Sequence, residues 1–315
     1  MANLLQSTIT YLEIVNQQPP IHTMTPDEVR DLRANAQKIK LKRQVDLEKI
    51  DNLFIAMRDM EQIPVRIYTP MGNGPFPIII YYHGGGWVLN DIETCDATCQ
   101  QLAAKSHSIV ISVGYRLAPE YKFPIPLYDA YDAFLWTVKN ANGINGRSND
   151  ITVMGDSAGG NLATVVTLMN KELHGPKICA QVLLYPVTDL SFSTESYKEF
   201  AEGFGLQKKD MEWFAHYYLD ERGSQNHPYA APLKAKELNE LPPACIIVAE
   251  NDILKDEGLS YAEKLKDFGN YVETHIATGL VHSYFTKNGA FSEEIEETME
   301  TITAFLNRDS VNERQ

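Results

Sequence analysis

The sequence predicts an α/β fold, with a mostly parallel central sheet covered by helices on both faces. Continuous apolar runs alternate with helical patterns along most of the chain, as strands buried on both faces require. The segments suited to chemistry stand just past the ends of those runs, where open parallel sheets place their sites.

Taken in order, residues 1–50 are polar and helical in pattern. Within them Thr25 suits an N-cap, with Pro26 at the first helical position and Glu28 three residues on. A second helical stretch is expected from Ile39 through Ile50. The core is expected to begin with strands at 53–57 and 63–68. Further strands follow at 78–82, 109–113, 151–154, 180–185, 244–249 and 272–277. Near the C-terminus Ile295, Met299, Ile302 and Leu306 form an apolar stripe among Glu293, Glu294, Glu296, Glu297 and Glu300, the pattern of one helix with a solvated face. Residues 191–229 interrupt the alternation. This aromatic-rich insertion is longer than ordinary connections between strands. The division expected is therefore 1–50, a first core part at 51–190, an insertion at 191–229 and a second core part at 230–315.

With 315 residues, 44% of them hydrophobic, the chain can bury a large core. A formal charge of −14 argues against nucleic acid, whose phosphates would be repelled. No apolar run approaches the ~20 residues of a membrane span, and the first residues lack the basic start and apolar core of a signal peptide. Cys95, Cys99, Cys179 and Cys245 show neither a disulfide framework nor a metal-ligand set. A reduced, cytoplasmic protein without a metal or other cofactor is the expectation, and the sequence leaves a homodimer open.

Gly155-Asp156-Ser157-Ala158-Gly159-Gly160 follows the apolar run 151–154 and precedes a long helical pattern. Strand, sharp turn and helix are the context a G-x-S-x-G nucleophile elbow needs. Glycines flank the serine because a Cβ would crowd the turn, and the helix start favours a developing oxyanion. Upstream, His83-Gly84-Gly85-Gly86-Trp87 ends the 78–82 run. Its bare backbone suits fixed N–H donors for an oxyanion. Asp252 stands past the 244–249 run, and His282 follows the 272–277 run. Nucleophile, acid and base thus occur in the order Ser, Asp, His that this kind of elbow carries. Asp256 competes with Asp252, which is nearer its strand end. Asp156 is expected to anchor neighbouring backbone, and His83 to stabilise the glycine loop by hydrogen bonding.

These motifs, with Tyr115-Arg116-Leu117-Ala118-Pro119-Glu120 and Asn251-Asp252-Ile253-Leu254-Lys255-Asp256-Glu257-Gly258, resemble the hormone-sensitive-lipase-like bacterial carboxylesterases of the α/β-hydrolase superfamily. Two positions depart from that pattern. Ile253 stands where the family often has Pro, and Ser283 where it often has Gly. The resemblance implies an α/β-hydrolase fold in which residues 1–50 and 191–229 join as a helical cap over the site. It implies a Ser157–His282–Asp252 triad, with the N–H groups of Gly84, Gly85 and Ala158 receiving the oxyanion and Gly86 supporting the loop. The expected reaction is hydrolysis of small-molecule esters with short to medium acyl chains through an acyl-enzyme. Alternatives are amide hydrolysis or deacetylation by the same triad, and a non-catalytic small-molecule receptor on the same fold.

Overall fold

The computed structural model describes residues 3–37, 45–220 and 224–308. The chain begins with helices α1 (Gln6–Val15) and α2 (Pro26–Gln37), followed by strands β1 (Leu47–Ala56), β2 (Gln62–Pro70) and β3 (Phe76–Tyr82). Strands and helices then alternate through α3 (Ile92–Ser106), β4 (Ile109–Val113), α4 (Ile125–Asn140), β5 (Gly146–Asp156), α5 (Ala158–Glu172) and β6 (Ala180–Leu184). Two helices, α6 (Glu195–Glu199) and α7 (Lys208–Tyr218), occupy the insertion. The remainder is β7 (Ala244–Asn251), α8 (Lys255–Asp267), β8 (Val272–Val281) and α9 (Ser292–Leu306).

Among the described residues eight strands form one sheet in the order β1-β2-β4-β3-β5-β6-β7-β8. β1 and β2 run antiparallel to their neighbours, and the other pairs are parallel. The inner strands read as unbroken apolar runs because helices cover both faces, and β4 and β6 are buried at every position. Apolar side chains pack as two large clusters, one built around Ile78, Ile80 and Val153, the other around Ile79, Tyr81 and Met154. Alternation along β3 and β5 sends successive residues to opposite faces, which is why neighbours in sequence fall in different clusters. No helix among the described residues is long and apolar enough to cross a membrane.

The eight strands expected from the sequence are present, and α9 buries Ile295, Met299 and Ile302 as its pattern predicts. The capping box at the start of α2 also forms: the Thr25 N–H donates to Glu28 Oε2 at 2.8 Å, and the Glu28 N–H reaches Thr25 Oγ1 at 3.4 Å. The helix expected from Ile39 through Ile50 is not found among the described residues. Residues 38–44 lie outside the described residues, and Leu47–Ile50 is the start of β1. Pairing with β2 decides this, since Lys49 to Ala56 are in register with Thr69 to Gln62. The sheet therefore claims residues assigned on pattern to the N-terminal segment.

The N-terminal segment and the insertion touch each other. His22 Nδ1 lies 2.7 Å from Asp210 Oδ1, Trp213 Nε1–H donates to the Met24 carbonyl at 2.9 Å, and Asn16 Nδ2 donates to the Gly203 carbonyl at 2.8 Å. α1 is tied separately to β8, where Gly279 O accepts from Leu5 N at 3.2 Å and Thr8 Oγ1 at 2.8 Å.

Candidate active site

Sheet topology gathers the predicted groups. β3 and β5 are parallel neighbours with Tyr82 paired to Gly155, so the glycine loop after β3 and the turn after β5 emerge side by side. β7 and β8 are likewise parallel neighbours, which brings Asp252 and His282 together. Only β6 separates the two pairs. With strands ~4.8 Å apart, side chains from all these loops can meet.

Ser157 has φ 55° and ψ −119° and is followed at once by α5. Its N–H is bonded to Leu184 O at 2.9 Å, and its carbonyl accepts from Asn161 N at 3.0 Å and Val187 N at 3.2 Å. Those bonds hold a backbone conformation that costs about 1–3 kcal/mol. The unusual φ falls on the serine and not on its glycine neighbours. The glycines serve close approach: a Cβ on Gly159 would stand 1.9 Å from Tyr82 O, and one on Gly155 would stand 2.3 Å from Gly159 C.

His282 Nε2 is 2.9 Å from Ser157 Oγ, and His282 Nδ1 is 2.7 Å from Asp252 Oδ2. A carboxylate oxygen accepts, so Nδ1 carries the proton and Nε2 offers its lone pair to the serine hydroxyl. Asp252 Oδ1 accepts the Leu254 N–H at 3.0 Å, which fixes the carboxylate. The Tyr185 ring stands edge-on to the imidazole, its centroid 4.8 Å away. All three polar residues are buried. Asp256 is engaged elsewhere, accepting the Ser196 N–H at 2.8 Å near the start of α6.

The glycine loop corrects one expectation. Gly84 N–H donates to Asp156 Oδ1 at 2.9 Å, and Tyr81 O–H donates to the same oxygen at 2.8 Å. The Gly84 N–H is therefore already satisfied and is not free to receive an oxyanion. Gly85 and Gly86, with φ of 120° and 60°, border the space beside Ser157. No described acceptor takes the N–H of Gly85, Gly86 or Ala158, and that of Ala158 is one of the donors a helix start leaves unpaired.

Asp156 anchors backbone, as expected, and burial pushes its carboxyl above the ordinary value while the Tyr81 and Gly84 donors pull it back. His83 supports the loop through Nδ1–H to Gly84 O at 2.8 Å. Burial holds the His83 imidazole below its usual pKa and so neutral. It stacks on Tyr115 at 4.3 Å, and the Tyr115 hydroxyl donates to His83 O at 2.6 Å.

Ser157 and His282 border a cavity of about 970 Å³. Its apolar wall includes Ile21 and Met24 from the N-terminal segment and Leu206, Met211 and Phe214 from the insertion. Among the described residues no cluster of His, Cys, Asp and Glu is arranged to hold a metal ion.

Several supporting residues escaped the reading of the sequence. Asn161 Nδ2 donates to Val187 O and Ala230 O, both at 2.9 Å, tying the elbow helix to the chain that enters and leaves the insertion. Glu257 Oε1 accepts the Thr188 and Asp189 N–H groups at 2.7 and 3.2 Å. Their common signal is a polar residue in an otherwise apolar or helical pattern, which does not name its partner. Ser283, at one of the two departures from the family pattern, has φ 66°, a left-handed conformation that glycine adopts without strain.

A serine at a strand-to-helix turn on a mostly parallel sheet, met by an aspartate and a histidine from the ends of β7 and β8, defines an α/β hydrolase. The sequence profile described as the alpha/beta hydrolase fold matches residues 79–286. The chain is 39% identical over 256 residues to the carboxylic ester hydrolase LipN of Mycobacterium tuberculosis, covering 78% of this chain and 68% of that protein. It is 32% identical over 293 residues to the ethyl acetate hydrolase of Pseudomonas putida, covering 91% of each. The solved structure of a hyperthermophilic esterase from the archaeon Pyrobaculum calidifontis matches with a TM-score of 0.91 at 34% identity, covering 99% of this chain and 100% of that one. The chain belongs to the α/β-hydrolase family, in its hormone-sensitive-lipase-like branch.

Proposed function

We propose that the protein is a serine carboxylesterase in which Ser157 is the nucleophile, His282 the general base and Asp252 the group that orients it. The observation that carries this reading is the pair of contacts at His282, 2.9 Å to Ser157 Oγ and 2.7 Å to Asp252 Oδ2, at the edge of a substrate-sized cavity. His282 Nε2 takes the hydroxyl proton as Ser157 Oγ attacks the ester carbonyl. Asp252 holds the imidazole tautomer and stabilises the imidazolium. The unengaged N–H groups of Gly85, Gly86 and Ala158 are the donors for the oxyanion, with Gly84 in a supporting role. His282 then protonates the departing alcohol, and water repeats the sequence on the acyl-enzyme.

In this reading the N-terminal segment and the insertion act together as a cap, supported by their mutual contacts and their shared border on the cavity. The resemblance to the hormone-sensitive-lipase-like carboxylesterases implies acyl chains of short to medium length, roughly four to eight carbons, for which a partly apolar cavity leaves room. The four free, buried thiols suit a reducing compartment such as the cytoplasm.

Ser157→Ala is expected to lower kcat on p-nitrophenyl butyrate by three orders of magnitude or more. In wild type an aryl phosphonate should attach to Ser157, read by mass spectrometry. Full activity in the folded variant, or labelling of another residue, overturns the assignment.

A further inference from the structure

Charge inside the cavity is unevenly matched. Three acidic residues border it, Asp156, Glu202 and Asp210. Asp156 accepts from Gly84 N and Tyr81 O–H. Asp210 holds His22 Nδ1 at 2.7 Å and the Gln207 N–H at 3.0 Å. Glu202 is exposed and stands 3.9 Å from Lys209. Each acid therefore has a donor or cation of its own.

Arg33 has none of that kind. It lies on α2 three residues after Arg30, which pins the helix through Glu120 and the Val88 and Ala118 carbonyls. Among the described residues the Arg33 guanidinium makes one hydrogen bond, from Nη1 to Asn90 Oδ1 at 2.5 Å, and that partner is neutral. No described carboxylate lies within ion-pair distance of it. Asp210 and Tyr11 act on it electrostatically, but Asp210 is occupied by His22 and burial keeps the Tyr11 phenol neutral. Burial also disfavours the Arg33 charge, although arginine stays ionised. Four of the five N–H donors of a guanidinium whose first is used by Asn90 remain for a planar, bidentate acceptor. Asn90 Nδ2 in turn donates to Gly84 O at 3.1 Å, so the cation is tied to the glycine loop beside the nucleophile.

We propose that Arg33 is a specificity-determining residue that binds a carboxylate on the substrate, making carboxylate-bearing esters a preferred class. This rests on the ester-hydrolase reading, and it adds the chemistry of the group that the cavity recognises. The carboxylate belongs either to the acyl half, as in a hemiester of a short dicarboxylic acid, or to the alcohol half, as in an ester of a hydroxy acid.

Matched pairs test it by kcat/KM in wild type, Arg33→Met and Arg33→Lys. Monoethyl glutarate against ethyl pentanoate reads the acyl side, and the butyryl ester of 3-hydroxypropanoate against propyl butyrate reads the alcohol side. In one pair the charged-to-neutral ratio should fall roughly ten- to hundredfold in Arg33→Met, the range of one charge-assisted bond. Arg33→Lys should lie between, since lysine keeps the charge but not the planar fork. An unchanged ratio in both pairs, or an equal loss on charged and neutral esters, overturns the proposal. A second arm needs no turnover: glutarate binding to Ser157→Ala, measured by calorimetry, should weaken at least tenfold when Arg33→Met is added. Equal affinity overturns the anion site, whereas failed phosphonate labelling of Ser157 counts against the hydrolase reading alone.

Discussion

Asp156 stands next to Ser157 yet makes no bond to Ser157 Oγ or His282; its Oδ1 gathers Tyr81 O–H and Gly84 N–H. Asp156→Ala would leave two buried donors without an acceptor, at about 1–3 kcal/mol each. Asp156→Asn keeps an oxygen in place. We expect Asp156→Ala to lower unfolding stability by about 2–6 kcal/mol and to reduce kcat, with Asp156→Asn much closer to wild type in urea denaturation. Equal stability of the alanine variant would mean that the loop is held by other bonds. At this scale the sequence was legible wherever chemistry demands a residue type in a set order. Ser157, Asp252 and His282 meet as their positions after strand ends implied. Gly84 was misread because three adjacent glycines look alike in sequence. What separates them is an acceptor delivered by β5, a matter of sheet pairing and not of spacing.

Between elements, one seam of the cavity wall runs between α7 and the turn before α2. Trp213 Nε1–H to Met24 O and the His22–Asp210 contact are its polar links, and Phe214 faces Gly86 closely enough that a Cβ there would lie 2.1 Å from its ring. Trp213→Phe keeps an aromatic ring but removes the donor. Stability should change by only about 1 kcal/mol, the usual worth of one hydrogen bond. KM for butyrate esters should rise several-fold while the acylation burst keeps its amplitude, because the change touches the wall and not the reacting groups. An unaltered KM would separate this seam from substrate binding. The strands were readable as apolar runs, and the Thr25 capping box as a local pattern. Leu47 to Ile50 was not, because Glu48 and Lys49 between them resemble a solvated helix until β2 supplies a partner.

For the whole molecule, buried carboxyls and surface carboxylates pull stability in opposite directions with pH. Burial raises the Glu257 carboxyl well above its ordinary range, with the Thr188 and Asp189 N–H groups opposing. A raised folded pKa means that the native state holds its proton where the unfolded chain has lost it. Its contribution is complete below the unfolded value of ~4.3 and is lost as pH climbs toward the folded value. Glu28, Asp59 and Glu120 are shifted down, by bonds to Thr25, Arg116 and Arg30 respectively. Their contribution is present above the unfolded value and is lost as pH falls through the folded one. Glu257→Gln retains the accepting oxygen and cannot ionise. Its Tm relative to wild type should therefore improve steadily from pH 5 to pH 8, read by calorimetry. A constant difference across that range would show that Glu257 does not titrate with unfolding.

The tie between α1 and Gly279 joins residues 271 apart in sequence at Thr8, and Asn3 O accepts from Asn251 Nδ2 across 248. On a ribosome adding about 5–20 residues per second, the first helix waits tens of seconds for its dock to be made. His282 arrives only three residues after Gly279. The growing chain thus gains the dock for α1 and the imidazole that meets Ser157 almost at once. Until then the buried side of α1, with Thr8 and Leu12, has no β8 to lie against. A chain that stops short of His282 carries Ser157 and Asp252 without the imidazole that joins them.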